Sequence, residues 1–182
     1  MPSIDPTAIE VLAGAHAQGG RLTLARKEML RYLHDVVPGV VALVNTRERG
    51  SATVGIRKPV AFYVARQPVD AKGFPALIVG LSVGARSGPP MIKFRSVTVM
   101  VYIVDKPTTN REDADDLLDL ADLVDMTTSS LQNAHSTPDG VNVWNSLRFE
   151  SLSQLPMSWD EYAGIGIEYS MDMSGLNNWP QA

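Results

Sequence analysis

The stretch Lys93–Asp105 limits the possible folds most, because it is apolar on both faces when read with a two-residue period. Val97, Val99, Val101 and Ile103 fall on one side, and Met100, Tyr102 and Val104 on the other. A strand of that kind belongs in the middle of a sheet, covered on both faces. Its neighbours are legible too. Pro75–Val83 precedes it as a second strand, joined through Gly84–Pro90, a polar and basic connection too long for a tight turn. Ala163–Met173 has the cleanest alternation in the chain. Ala163, Ile165, Ile167, Tyr169, Met171 and Met173 point one way, and Gly164, Gly166, Glu168, Ser170 and Asp172 the other. Such a strand has one face on the core and one in water. Weaker β-like segments lie at Val40–Asn45, Val60–Ala65 and Val141–Ser151, with Thr46–Pro59 reading as an exposed loop or weak hairpin.

Three helices complete the pattern. Asp5–Ala17 starts with Asp5 as N-cap and Pro6 at the first helical position, and stops at Gly19-Gly20. Leu22–Val36 places Leu22, Ala25, Met29, Leu30 and Leu33 on one stripe, and Pro38-Gly39 is expected to end it. The longest runs from Arg111 to about Gln132, opened by a capping box with Thr109 as N-cap and Glu112 reaching back to it.

At about 100° per residue, Glu112, Asp115, Asp116, Asp119 and Asp122 share one face of that helix. Ala114, Leu117, Leu120, Ala121, Val124 and Leu131 occupy the other. Leu118 and Leu123 flank this stripe on opposite sides, so the apolar arc covers about half the helix, more than one sheet needs. The excess calls for a second packing partner, either the N-terminal helices or a neighbouring subunit. The subunit contact is favoured, which makes Leu117, Leu118, Leu120 and Leu123 candidate interface residues. The expected fold is α+β: a mixed or antiparallel sheet of about four to six strands, carrying the long amphipathic helix and N-terminal helices. Residues 1–38 form a helical extension, 39–174 the core domain and 175–182 a tail.

The residues offer little chemistry. There is no cysteine, hence no disulfide, thiolate metal site or thiol nucleophile. His16, His34 and His135 have no metal-ligand spacing, and the aspartates of the long helix lack the glycine turn of a calcium loop. Gly80–Gly84 lies within a strand and is no nucleophile elbow, and Gly84–Pro90 leads into a strand, so it has no helix N-terminus with which to hold an anion. No catalytic residue, cofactor or metal is expected, and the chain does not read as an enzyme. A net charge of −4 weighs against a dedicated nucleic-acid binder. No secretory signal or apolar run of membrane-spanning length is read, and no membrane partner is expected.

Four segments in order carry a resemblance: Phe74-Pro75-Ala76-Leu77-Ile78-Val79-Gly80, the strand from Arg95 to Asp105, the Asp- and Leu-rich helix from Arg111, and Tyr162-Ala163-Gly164-Ile165-Gly166-Ile167-Glu168-Tyr169. Over Val60–Met173 the chain resembles the tail terminator (tail completion) proteins of long-tailed bacteriophages. The resemblance implies a homo-oligomeric ring, usually a hexamer, that caps the tail tube and joins it to the head-tail connector or stopper. Its partners would be further copies of the chain, the tail tube protein and the connector, with DNA passing as non-specific cargo. It would reside in the virion tail or neck after assembly in the host cytoplasm. Carried over to this sequence, Arg86, Lys93 and Arg95 become contacts to the tube or connector. Glu168 and Asp172 become a negative channel lining, unless they are only the wet side of a half-buried strand. Two other readings stay open. One is a different neck, head-completion or tail-tube subunit, of which a tube subunit would need a larger β-sandwich and less helix. The other is a small ferredoxin-like ligand-binding module, which would need a pocket of convergent polar groups.

Overall fold

Ala25, Met29, Leu33, Val37 and Val41 recur at four-residue intervals, and every one of them is fully buried. That stripe belongs to a single 29-residue helix, α1 (Arg21–Arg49), in the computed structural model of the chain. The structure describes residues 21–53, 55–64, 73–83, 96–106, 112–138, 140–154 and 163–173. The expected helix at Asp5–Ala17, Thr109 of the capping box, the connection Gly84–Pro90 and the tail after Ser174 lie outside the described residues.

Helix α1 corrects two expectations. It does not end at Pro38-Gly39, and Val40–Asn45 is helix rather than strand. Pro38 forfeits one backbone donor and crowds the carbonyl four residues earlier, at a cost of about 3 kcal/mol. The burial of Val37 and Val41 on either side offsets it, since a fully buried valine contributes about 1.5–3 kcal/mol. The division expected at residue 38 therefore falls inside one helix. Replacing Pro38 with alanine is expected to raise stability by roughly 1–3 kcal/mol, the helical gain less what a freer unfolded chain takes back. A urea midpoint that stays unchanged or falls would show that the proline ring itself packs.

The expected loop Thr46–Pro59 is instead the end of α1 and a pinned turn. Gly50, at φ 71°, donates its N–H to the Thr46 carbonyl at 3.1 Å and closes the helix in the left-handed conformation. Asn45, buried on the same stripe, then clasps Ile56 from both sides. Its Nδ2 donates to the Ile56 carbonyl at 2.8 Å, and its Oδ1 accepts from the Ile56 N–H at 3.0 Å. Gly55 sits beside this clasp at φ 105°, where a Cβ would come within 2.8 Å of Asn45 Oδ1.

The strands are β1 (Ala61–Tyr63), β2 (Ala76–Val83), β3 (Ser96–Asp105), β4 (His135–Ser136), β5 (Asn142–Trp144), β6 (Ser146–Gln154) and β7 (Ala163–Asp172). Between β3 and β4 lies α2 (Glu112–Ser129). Five strands form one mixed sheet in the order β1-β2-β3-β7-β6, with β1 parallel to β2 and every other pairing antiparallel; β4 and β5 form a separate small ladder. The fold is α+β. The segment expected as one strand, Val141–Ser151, breaks at Asn145, whose N–H donates to the Asp172 carbonyl at 2.8 Å. The break turns Trp144 into the core while β6 joins the sheet edge.

Both helices pack on one face. Leu77 and Val79, the odd-numbered positions of β3 from Val97 to Ile103, and Ile165, Ile167, Tyr169 and Met171 form one buried cluster with α1 and α2. The central strand is covered on this side by both helices. On the other side Val104 is buried, with Ala76 and Ile78 of β2 beside it, and Thr98, Met100 and Tyr102 are half-buried. α1 lies over β1 and β2, α2 over β3, β7 and β6, and the two helices pack against each other.

That contact answers the question posed by the wide arc of α2. Leu117, Leu120 and Leu123 are buried within the chain itself, with α1 as the second packing partner. Of the four leucines expected at a subunit interface, Leu118 alone is exposed. Asp119 and Asp122 lie exposed on the outer side of α2.

Candidate interaction surface

The edge strand β6 carries exposed apolar side chains. Leu147, opposite Met171, is buried under the helices. Phe149 stands opposite Tyr169 on the same face and meets its ring edge-on at 6.2 Å, yet is 46% exposed. A bulge between Phe149 and Ser151 then takes Glu150 out of register and returns Leu152 to the helix face opposite Ile167. Leu152 is 42% exposed. Tyr169 donates its hydroxyl to Asp125 of α2 at 2.9 Å, and burial pushes its own ionisation well above the ordinary tyrosine range. Leu118, two turns before Asp125 on that flank of α2, is 44% exposed. Leu118, Phe149 and Leu152 thus line the side where the sheet ends, with Asp122 and Glu150 exposed around them.

The two parts of the sequence that hold the helices differ in charge. Residues 21–64, which hold α1 and β1, carry eight Lys and Arg against three Asp and Glu, a net +5. Residues 112–172, which hold α2, β6 and β7, carry thirteen Asp and Glu against the single Arg148, a net −12. At the basic flank Val60 and Val64 bracket β1 and are 67% and 36% exposed. Arg47 and Arg49 lie exposed at the end of α1, and Lys58 is half-buried just before β1.

Glu168 and Asp172 lie on the face of β7 turned away from α1 and α2, both half-buried. The Ser151 hydroxyl donates to Glu168 Oε2 at 3.4 Å. Arg86, Lys93 and Arg95 lie outside the described residues.

Two polar clusters went unforeseen. Arg31 donates twice to the buried Glu28, at 2.7 Å from Nη2 and 3.2 Å from Nε, and reaches Asp35 from its other arm at 3.4 Å. Its guanidinium holds the Glu28 carboxyl below the ordinary carboxylate range against the opposing effect of burial. His135 stacks on Trp144 at 4.4 Å, with Nε2 3.6 Å from the same carboxylate. The second cluster joins Arg57 to the buried Asp105, which also accepts the Lys106 N–H at 2.8 Å. Both tie α1 or the segment after it to strands far along the chain. Spacing gave no hint of them, since the partners lie 107 and 48 residues apart for His135–Glu28 and Asp105–Arg57. Among the described residues no three His, Cys, Asp or Glu side chains converge as a metal site, and no helix is long and apolar enough to cross a membrane.

No protein family matches the chain, and no curated protein is similar to it.

Proposed function

We propose that the chain is a structural virion subunit that assembles into a ring, caps a phage tail tube and joins it to the head-tail connector. The single observation that carries the assembly part is the strand β6, an edge of the sheet among the described residues, where Phe149, Leu152 and Leu118 leave apolar surface exposed. The terminator part rests on the resemblance in the order of its elements: a hairpin of β2 and β3 with a long connection, the acidic helix α2 and a closing strand β7. Among the described residues, two helices on one sheet rather than a β-sandwich weigh against the tail-tube alternative.

In this reading Arg86, Lys93 and Arg95 contact the tube or connector, and Glu168 and Asp172 face the channel, where like charge keeps passing DNA from adhering. The test is to incubate the purified protein with polymerised tubes of the cognate tail protein and to image their ends by negative stain. Discrete caps at one end of each tube are expected. Tubes whose ends stay bare at protein excess would contradict the reading. An Arg86→Glu chain that still joins tails to heads would remove the connection Gly84–Pro90 from the contact.

A further inference from the structure

We infer that the shoulder between α2 and β6 docks an amphipathic helix with a basic rim, supplied by a different protein. The inference deepens the assembly reading of this edge, and rests on it in taking the surface to be one that is covered in use. It names what covers it.

Three observations select this occupant. First, the sheet is wider than its two helices. Strands lie about 4.8 Å apart and packed helices about 8–10 Å apart, so two helices cover about four strands. This sheet has five, which leaves a seat beside α2 at the rim. Leu147, whose N–H donates to the Gln132 carbonyl at 3.1 Å just past α2, is buried, but Phe149 and Leu152 stay exposed. Leu118 walls the seat from the side of α2 away from α1. On that side Asp125, two turns further along, accepts from Tyr169 of β7, whereas Ser130 on the other side is bonded to Tyr32 of α1. Second, the bulge in β6 suits a helix better than an added strand. In an unbroken strand Phe149 and Leu152, three residues apart, would point to opposite faces. The bulge brings both onto the helix face and disturbs the edge for regular pairing. Third, the charges around the seat are of one sign. Asp122 and Glu150 are exposed there, and Arg148, the only Lys or Arg in residues 112–172, stands opposite Ser170 on the face turned away from the helices. A basic rim on the partner complements such a surface. No helix among the described residues supplies one, since the apolar stripe of α1 is buried in its own core and α2 is itself acidic. Residues 1–20 hold Asp5 and Glu10 but no Lys or Arg, so their charge does not fit either.

The test titrates the full chain into a labelled synthetic peptide of about four helical turns, with Leu on one face and Lys on the rest, and reads fluorescence anisotropy. A counterpart with Glu in place of Lys is the control. The Lys peptide is expected to bind at a single saturable site and the Glu peptide not to bind. Phe149→Ser with Leu152→Ser is expected to weaken binding about tenfold or more, and Asp122→Lys with Glu150→Lys to weaken it about tenfold at low salt and less at high salt. Met126→Ser, at another exposed apolar position of α2, is expected to leave binding unchanged. All five positions are exposed, so circular dichroism and the urea midpoint should confirm that each variant stays folded. A parent that ignores the Lys peptide, equal binding of the Glu peptide, seat variants that bind like the parent, or a Met126→Ser loss as large as theirs would each overturn the inference. So would a Phe149→Ser, Leu152→Ser chain that loses self-association while the parent takes no peptide, since the occupant is then a second copy. Failure of the assembly reading looks different: the peptide binds as stated, but the chain forms no ring and tube ends stay bare.

Discussion

Replacing Trp144 with alanine is expected to destabilise the fold by about 3–5 kcal/mol, the range for removing a large buried aromatic. The indole is fully buried and stacks on the His135 ring at 4.4 Å. Its Nε1 donates to the Leu131 carbonyl at 3.3 Å, just past the end of α2. It thus sits where α1, the end of α2 and the small β4–β5 ladder meet, and no neighbour can collapse into its space without breaking one of those contacts. A domain of this kind has about 5–15 kcal/mol in total, so the variant should be partly unfolded in mild denaturant. Urea unfolding followed by circular dichroism measures the loss; a cost under about 1 kcal/mol would mean that the α1–β5 contact is not part of the cooperative core.

Asn45→Ala is expected to cost about 2–4 kcal/mol, because it removes two hydrogen bonds and leaves both the N–H and the carbonyl of buried Ile56 without that partner. Leucine in its place should do no better, since the amide's role is to satisfy a turn and not to fill volume. Amide exchange should locate the damage. Faster exchange confined to residues 50–58, with the sheet still protected, is expected if the turn opens by itself. An unchanged urea midpoint with unchanged exchange at Ile56 would contradict the assignment.

Periodicity revealed the parts of the fold in which one face is buried and the other is not. Ala163–Met173 became β7 with the expected faces, Lys93–Asp105 contains β3, and the acidic segment became α2. It failed at Val40–Val44, a run of five apolar residues that reads equally as strand or helix. There the four-residue repeat from Ala25 to Val41 outweighed the breaker at Pro38-Gly39. The width of the apolar arc on α2 was read correctly, but the sequence does not say which element fills it. α1 covers Leu123, so the arc argues less for a neighbour than Leu118, Phe149 and Leu152 do. Phe149 and Leu152 became informative only once β6 proved to be an edge strand with a bulge.

The central claim is that this protein works as one member of a self-associated ring. It is tested most directly by sedimentation velocity on the unmodified chain over a concentration series, at low and high salt, with negative-stain images of the same samples. The expected result is a mass that rises with concentration from the 19.8 kDa monomer to one discrete closed species, seen as rings with a central opening and shifted back towards monomer by salt. A protein that remains a 19.8 kDa monomer at every concentration and salt, with tail tubes present or absent, would contradict it.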